Sequence, residues 1–248
     1  MTRILVLGGT TEASQLASAM AAAGLDGIFS YAGRTEVPLR QALPVRVGGF
    51  GGIPGLVKYL QDETIGRVID ATHPFAAQMS AHAIAACAEA GVPLLALERP
   101  PWAETAEDLW IRVPDIAAAV HALPQDPQRV FLAIGRQNLE EFTASPQHHY
   151  LLRLVDAPDH PPLPRCEIIV SRGPFTLQSD LTLLLAHRIQ LIVSKNSGGS
   201  GAAAKLEAAR QLRLPVVMID RPVVPERCRA GSVAEVLAWL GHPANLGV

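Results

Sequence analysis

The chain has 248 residues, 49% of them hydrophobic, and a formal net charge of -2, so it is long enough for one large α/β domain or two ordinary ones with real cores. A near-neutral balance provides no concentrated basic face, which sets nucleic acid aside as a partner. No apolar run approaches the roughly 20 residues of a membrane span, and no basic-then-apolar signal segment precedes the first strand, so a cytoplasmic globular protein with no membrane partner is expected.

Strand-like and helix-like runs alternate along the chain. Strands are predicted near 3–7, 27–31, 44–48, 67–71 and 93–97, with helices near 11–23, 52–62 and 76–89. That rhythm implies βαβ units and a parallel sheet. The proline-bearing stretch LERPPWAETAEDL (97–109) reads as a linker, after which the pattern restarts. Strands follow near 109–113, 129–134, 149–154, 167–171, 190–194 and 215–219, with helices near 114–122, 136–142, 176–187, 202–211 and 232–240. Two doubly wound α/β halves, 1–100 and 101–248, fit these runs better than a single very wide sheet. The cysteines, Cys87, Cys166 and Cys228, stand far apart without a C-x-x-C, so neither a disulfide framework nor a metal site is expected.

Open parallel sheets bind ligands at the carboxyl ends of their strands, so the loops there carry the functional argument. In ILVLGGTTEASQLA (4–17) a buried-strand run breaks at Gly8 and Gly9 and becomes a helix after Thr10 and Thr11. The glycines admit close approach of a ligand to the backbone. A threonine can cap the helix and donate a hydroxyl to an anion, and the helix start adds N–H groups and its positive dipole end. Glu12, in the first turn, favours the dipole but would repel a phosphate facing it. The spacing matches neither G-x-G-x-x-G nor the nucleotide-triphosphate loop, which would need Gly-Lys-Ser/Thr.

Arg34 and Thr35, in SYAGRT after the second strand, lie about 25 residues beyond the glycines, where an arginine accommodates the 2′-phosphate of NADP. The cluster VGGFGG (47–52) places Gly49, Phe50 and Gly51 where a flat ligand can lie against the backbone. In IDATHPFA (69–76), Asp70, Thr72 and His73 emerge from an apolar strand that Pro74 stops; Asp70 is suited to orient His73 or to hold backbone amides. The second half has comparable loops: AIGRQN with Gly135 and Arg136, VSRGPFT with Arg172, Gly173 and Phe175, and IVSKNSGGSGAAAK with Lys195, Asn196 and Ser197 ahead of a glycine run. The chain has 18 arginines against only Lys58, Lys195 and Lys205. Arg136, Arg172 and Lys195 suit a ligand with several negative groups, most naturally carboxylates.

The series LGGTTEA, AGRT, GGFGG, DATHPFA, ERPPW, GR, SRGPF and SKNSGG, in this order, resembles the precorrin-6A reductase family of cobalamin biosynthesis, from Ile4 to about Leu240. The resemblance implies two Rossmann-like lobes with a ligand cleft between them, NADPH on lobe 1–100 and the tetrapyrrole held by lobe 101–248. It implies hydride transfer to a ring double bond of precorrin-6A, giving precorrin-6B. Gly8, Gly9, Thr10, Thr11, Glu12, Arg34, Thr35, Gly49, Phe50, Gly51, Asp70, Ala71 and Thr72 would then face the cofactor. His73, Pro74, Phe75, Arg136, Arg172, Gly173, Pro174, Phe175, Lys195, Asn196, Ser197, Gly198 and Gly199 would face the substrate, with His73 and Lys195 as candidate proton donors. A short-chain dehydrogenase would need Tyr-x-x-x-Lys, which none of Tyr31, Tyr59 or Tyr150 begins. An NADP-sensing or scaffold module, and a reductase of the cobalt-containing macrocycle, remain the alternatives. Oligomeric state is not encoded in these motifs.

Overall fold

The computed structural model describes residues 2–33 and 39–241. In chain order the elements of the first part are β1 (Arg3–Leu7), α1 (Thr11–Ala22), β2 (Gly27–Tyr31), β3 (Val45–Val47), α2 (Gly52–Asp62), β4 (Ile65–Asp70), α3 (Ala77–Ala90) and β5 (Leu94–Leu97). The second part runs β6 (Trp110–Val113), α4 (Ile116–His121), β7 (Arg129–Ala133), a 3-10 turn (Leu139–Ala144), β8 (His149–Leu154), β9 (Cys166–Val170), α5 (Leu177–Ala186), β10 (Leu191–Lys195), α6 (Ala204–Gln211) and β11 (Val216–Ile219). The chain then returns through β12 (Arg229–Ala230) and α7 (Val233–Gly241).

Two six-stranded sheets result, ordered β12-β5-β4-β1-β2-β3 and β6-β11-β10-β7-β8-β9, and every pairing is parallel. This is the expected doubly wound α/β class. In each sheet the order reverses beside the first strand of its βαβ series, between β1 and β4 and between β7 and β10, which is where such folds bind ligands.

The chain divides into two compact units, the first running to Pro100 and resumed at Val223, the second spanning Pro101–Pro222. The expected boundary kept 223–248 with the second half, and β12 and α7 correct it. Arg229 and Ala230 pair with Ala96 and Leu97 at the edge of the first sheet, and Val236 of α7 is buried against the same core as α1. The first sheet's sixth strand, β12, is therefore supplied by the chain that resumes after the whole of the second unit. A two-residue strand carries no periodicity from which this return is legible.

Alternation along β1 explains why the whole strand is apolar. Ile4 and Val6 face Leu16, Ala17 and Met20 of α1, whereas Leu5 and Leu7 face Leu56 and Leu60 of α2 and Ala83 and Ala86 of α3. Both faces are covered, as parallel sheets require. In the second unit Phe131, Leu151, Ile192 and Met218 pack on Leu184 of α5 and Leu206 of α6. The helix expected at 136–142 is instead the short 3-10 turn. Asn138 adopts a φ of 63°, which is incompatible with an α-helical path through it.

Candidate functional site

The first unit's loops meet at the β1–β4 reversal. A Cβ on Gly8 would come within 2.1 Å of the Phe29 ring, so the chain passes this buried aromatic only because position 8 has no side chain. Gly9 has a φ of +132° with open space where a Cβ would stand, which bares its backbone to a ligand. Thr10 caps α1, its Oγ1 accepting from the Ala13 N–H at 3.1 Å. The same hydroxyl donates to the Ala71 carbonyl at 3.0 Å. Of the two threonines expected to cap the helix, Thr10 is therefore the cap, and its proton ties the β1 loop to the β4 loop. Thr11 is exposed at the first helical position.

Asp70, 2% exposed, organises the β4 loop. Its Oδ1 accepts from the Thr72 amide at 3.2 Å and hydroxyl at 2.7 Å, and its Oδ2 accepts from Ser80 at 2.6 Å. Of the two roles expected for it, holding a backbone amide is therefore realised. Arg227 lies 3.6 Å from Asp70 and 3.3 Å from Glu98, so the buried carboxylate has a countercharge. His73 Nδ1 accepts from the Phe75 N–H at 3.2 Å, which puts the ring proton of neutral His73 on Nε2. Cys87 lies in the same core, where burial, with the charge of Asp70 adding to it, pushes its thiol up to about 12.

Glu12 is ion-paired with Arg99, so the acid in the first turn of α1 is neutralised. Arg46 shapes the VGGFGG loop: its Nη1 donates to Ser30 Oγ at 2.8 Å and to the Gly48 carbonyl at 2.9 Å, and its Nη2 donates to the Gly49 carbonyl at 3.2 Å. Its guanidinium lies 3.9 Å over the Phe50 ring, and burial lowers its pKa from the usual arginine value. Gly51 is the N-cap of α2. Arg34 and Thr35 lie outside the described residues.

In the second unit Arg136 is exposed, and Arg172 Nη2 lies 3.9 Å from Asp156. Lys195 ends β10. Asn196 and Ser197 are buried. Asn196 accepts from the Trp102 N–H at 2.8 Å and donates to the Trp102 carbonyl at 3.0 Å. The Asn196 side chain thus clamps the ERPPW backbone. Trp102 Nε1 donates in turn to the Gly199 carbonyl at 2.8 Å, while Gly198 is buried in the loop between. Arg221 donates to the carbonyls of Asn196 and Ser197 at 3.0 and 3.1 Å. Pro174 follows a cis peptide bond. Phe175, with Gly173, lines a pocket of about 160 Å³ whose cationic walls are Arg153 and Lys205.

Sequence reasoning missed Arg46, Arg99, Arg153, Arg221 and Arg227 as organisers of these loops. Only Arg153 carried a sequence signal, as a single charge in the otherwise apolar strand run YLLRL. Among the described residues no group of three or more His, Cys, Asp or Glu side chains is placed to hold a metal ion. No helix among them is long and apolar enough to cross a membrane. The bared Gly9 backbone, the exposed start of the 12-residue α1 and the neutralised Glu12 together fit a dinucleotide phosphate.

A family model described as precorrin-6x reductase CbiJ/CobK matches residues 3–241. The chain is 61% identical over 241 residues, 97% of its length and 96% of the relative's, to the precorrin-6A reductase of Rhodobacter capsulatus. It is 42% identical to that of Rhodococcus erythropolis, over 97% and 98% of the two chains. The cobalt-precorrin-6A reductase of Priestia megaterium is 28% identical, over 89% and 91%. A solved structure of CobK precorrin-6A reductase superposes with a TM-score of 0.95 at 60% identity, covering 97% of this chain and 96% of that one.

Proposed function

From the chain's membership of the precorrin-6x reductase CbiJ/CobK family, an oxidoreductase family, we propose that it reduces precorrin-6A with NADPH, acting on the cobalt-free macrocycle. The observation that carries the cofactor assignment is the β1–α1 loop, where Gly9 bares the backbone at the sheet's reversal point and the first turn of α1 offers its free N–H groups. Preference for the cobalt-free substrate rests on identity: 61% and 42% to relatives named for precorrin-6A against 28% to one named for its cobalt form.

NADPH would supply the hydride. The chain's own contribution is placement. Gly9 and the α1 start would hold the pyrophosphate, Arg34 would engage the 2′-phosphate, and Thr72 and Phe50 would contact the rest of the cofactor. Orientation of this kind is the main catalytic device open to a protein whose cofactor carries the chemistry. In the second unit Arg136, Arg172 and Lys195 would take carboxylates of the macrocycle, and His73, Lys195 or bound water would deliver the proton that the reduced system requires.

Titrating the protein and its Arg34→Ala variant with NADPH and with NADH tests the reading. Loss of a charge-assisted contact weakens NADPH binding by about 1.5–3 kcal/mol and leaves NADH nearly unchanged. Equal losses for both nucleotides, or no NADPH binding by the unaltered protein, would count against it.

A further inference from the structure

Arg153, on β8, is 8% exposed and lies in the second unit's pocket with its guanidinium 4.8 Å over Phe131 and 4.1 Å over Phe175. Stacking against two rings fixes the plane of the fork. Asp180, 3% exposed, stands 2.8 Å from Nη2 as its ion-pair partner. Among the described residues Arg153 Nε and Asp180 Oδ2 have no hydrogen-bond partner, and Nη2 is engaged by the Asp180 carboxylate alone. Buried donors of this kind are normally satisfied, and a stacked guanidinium matches the planar, bidentate geometry of a carboxylate.

The rest of the pocket agrees. Lys205, 5% exposed, places Nζ 2.7 Å from the Ala202 carbonyl and 4.5 Å over the Trp102 ring, so a second cation is held in place by its own loop. Ser171, Gly173 and Gly135 complete the wall at the carboxyl ends of β7, β8 and β9. Arg153, Asp180 and Lys205 sum to a single positive charge, which one carboxylate neutralises and a phosphate dianion would exceed. A volume of about 160 Å³ admits an acetate or propionate side chain and is far too small for the whole macrocycle.

We infer that this pocket is a subsite for one side-chain carboxylate of the macrocycle, with Arg153 as the bidentate donor and Lys205 as the second charge. The inference rests on the proposed tetrapyrrole substrate, but the pocket's preference for a carboxylate is testable without it. Arginine-labelled full-length protein is titrated with propionate, propionamide and inorganic phosphate, following the Arg153 Nε–H resonance, assigned by its loss in Arg153→Lys. Propionate should shift that resonance saturably while propionamide does not, and phosphate should bind at least tenfold more weakly than propionate. No shift with propionate, an equal shift with the amide, or tighter binding of phosphate overturns the subsite.

A second arm measures precorrin-6A turnover in Arg153→Lys and in the charge-neutral pair Arg153→Gln/Asp180→Asn, which avoids leaving a buried acid alone. A KM for precorrin-6A raised tenfold or more, with the KM for NADPH within twofold, is expected in both variants, and at least one must retain the parent's thermal unfolding profile. An unchanged KM for precorrin-6A in a folded variant refutes the subsite while leaving the substrate assignment intact. If the parent protein turns over no precorrin-6A while the propionate shift persists, the substrate assignment fails and a carboxylate pocket stands.

Discussion

Arg99 ion-pairs with Glu12 at the first turn of α1, with both side chains at most one-quarter exposed. On the proposal that the α1 start receives a phosphate, this contact matters, because an unpaired carboxylate in the first turn repels the anion that the helix dipole attracts. Arg99→Met should weaken NADPH binding by about 0.5–2 kcal/mol, and Arg99→Met/Glu12→Gln should recover most of the loss. A double-mutant cycle in equilibrium titrations reads the coupling; additive losses would show that the pair has no bearing on the nucleotide.

Thr10 performs two tasks with one hydroxyl, capping α1 and bonding the Ala71 carbonyl. Thr10→Val removes both and should destabilise the protein by about 1–2 kcal/mol, whereas Thr10→Ser should retain most of the stability. Urea unfolding monitored by circular dichroism measures it. Equal stability of the valine and serine variants would contradict the described hydroxyl geometry.

Much of this arrangement was legible in the sequence, and what was not has a physical cause. The apolar run at β1 followed by Gly8 and Gly9 announced both the buried strand and the bared turn, since only glycine passes Phe29 at that distance. Asp70 and His73 were recognisable as polar groups leaving an apolar strand. Arg99 and Arg227 were not, because their partners, Glu12 and Asp70, lie far away in sequence and single arginines in irregular chain have no periodicity to read. The partner of the Asn196 side chain was not legible for a related reason: Trp102 comes from the ERPPW stretch read as linker.

Asp108, with a side chain 2% exposed, pairs with Arg210 and accepts from Thr105. Burial alone would raise its pKa, but hydrogen bonds from Arg210 and Thr105 outweigh it and hold the carboxyl below the usual aspartate value. A depressed folded-state pKa adds stability that is present above the unfolded value of about 3.9 and is lost as pH falls through the folded one. Asp108→Asn should therefore cost about 1.5–3 kcal/mol at pH 7, with the gap to the parent narrowing as pH falls below about 4. Urea titrations at several pH values check this; a pH-independent gap would assign the loss to packing alone.

If His73, Lys195 or bound water can each supply the proton, as the proposed function has it, no single side chain should be indispensable. His73→Asn and Lys195→Met are each expected to lower kcat less than about 100-fold, the low end of what a required general acid contributes. Single-turnover rates at saturating precorrin-6A and NADPH measure it. A larger loss in one variant with substrate binding intact would make that residue the sole donor.

The central claim is that the chain directs a hydride from NADPH onto the precorrin-6A macrocycle. The most direct measurement is a single turnover with NADPH carrying deuterium at C4 of the nicotinamide, followed by mass spectrometry of the macrocycle. Deuterium incorporated from one of the two C4 positions, in step with NADPH oxidation and faster with the cobalt-free than with the cobalt-containing substrate, is the expected result. NADPH oxidation that leaves the macrocycle unlabelled by either C4 deuterium, or no oxidation in the presence of precorrin-6A, would contradict it.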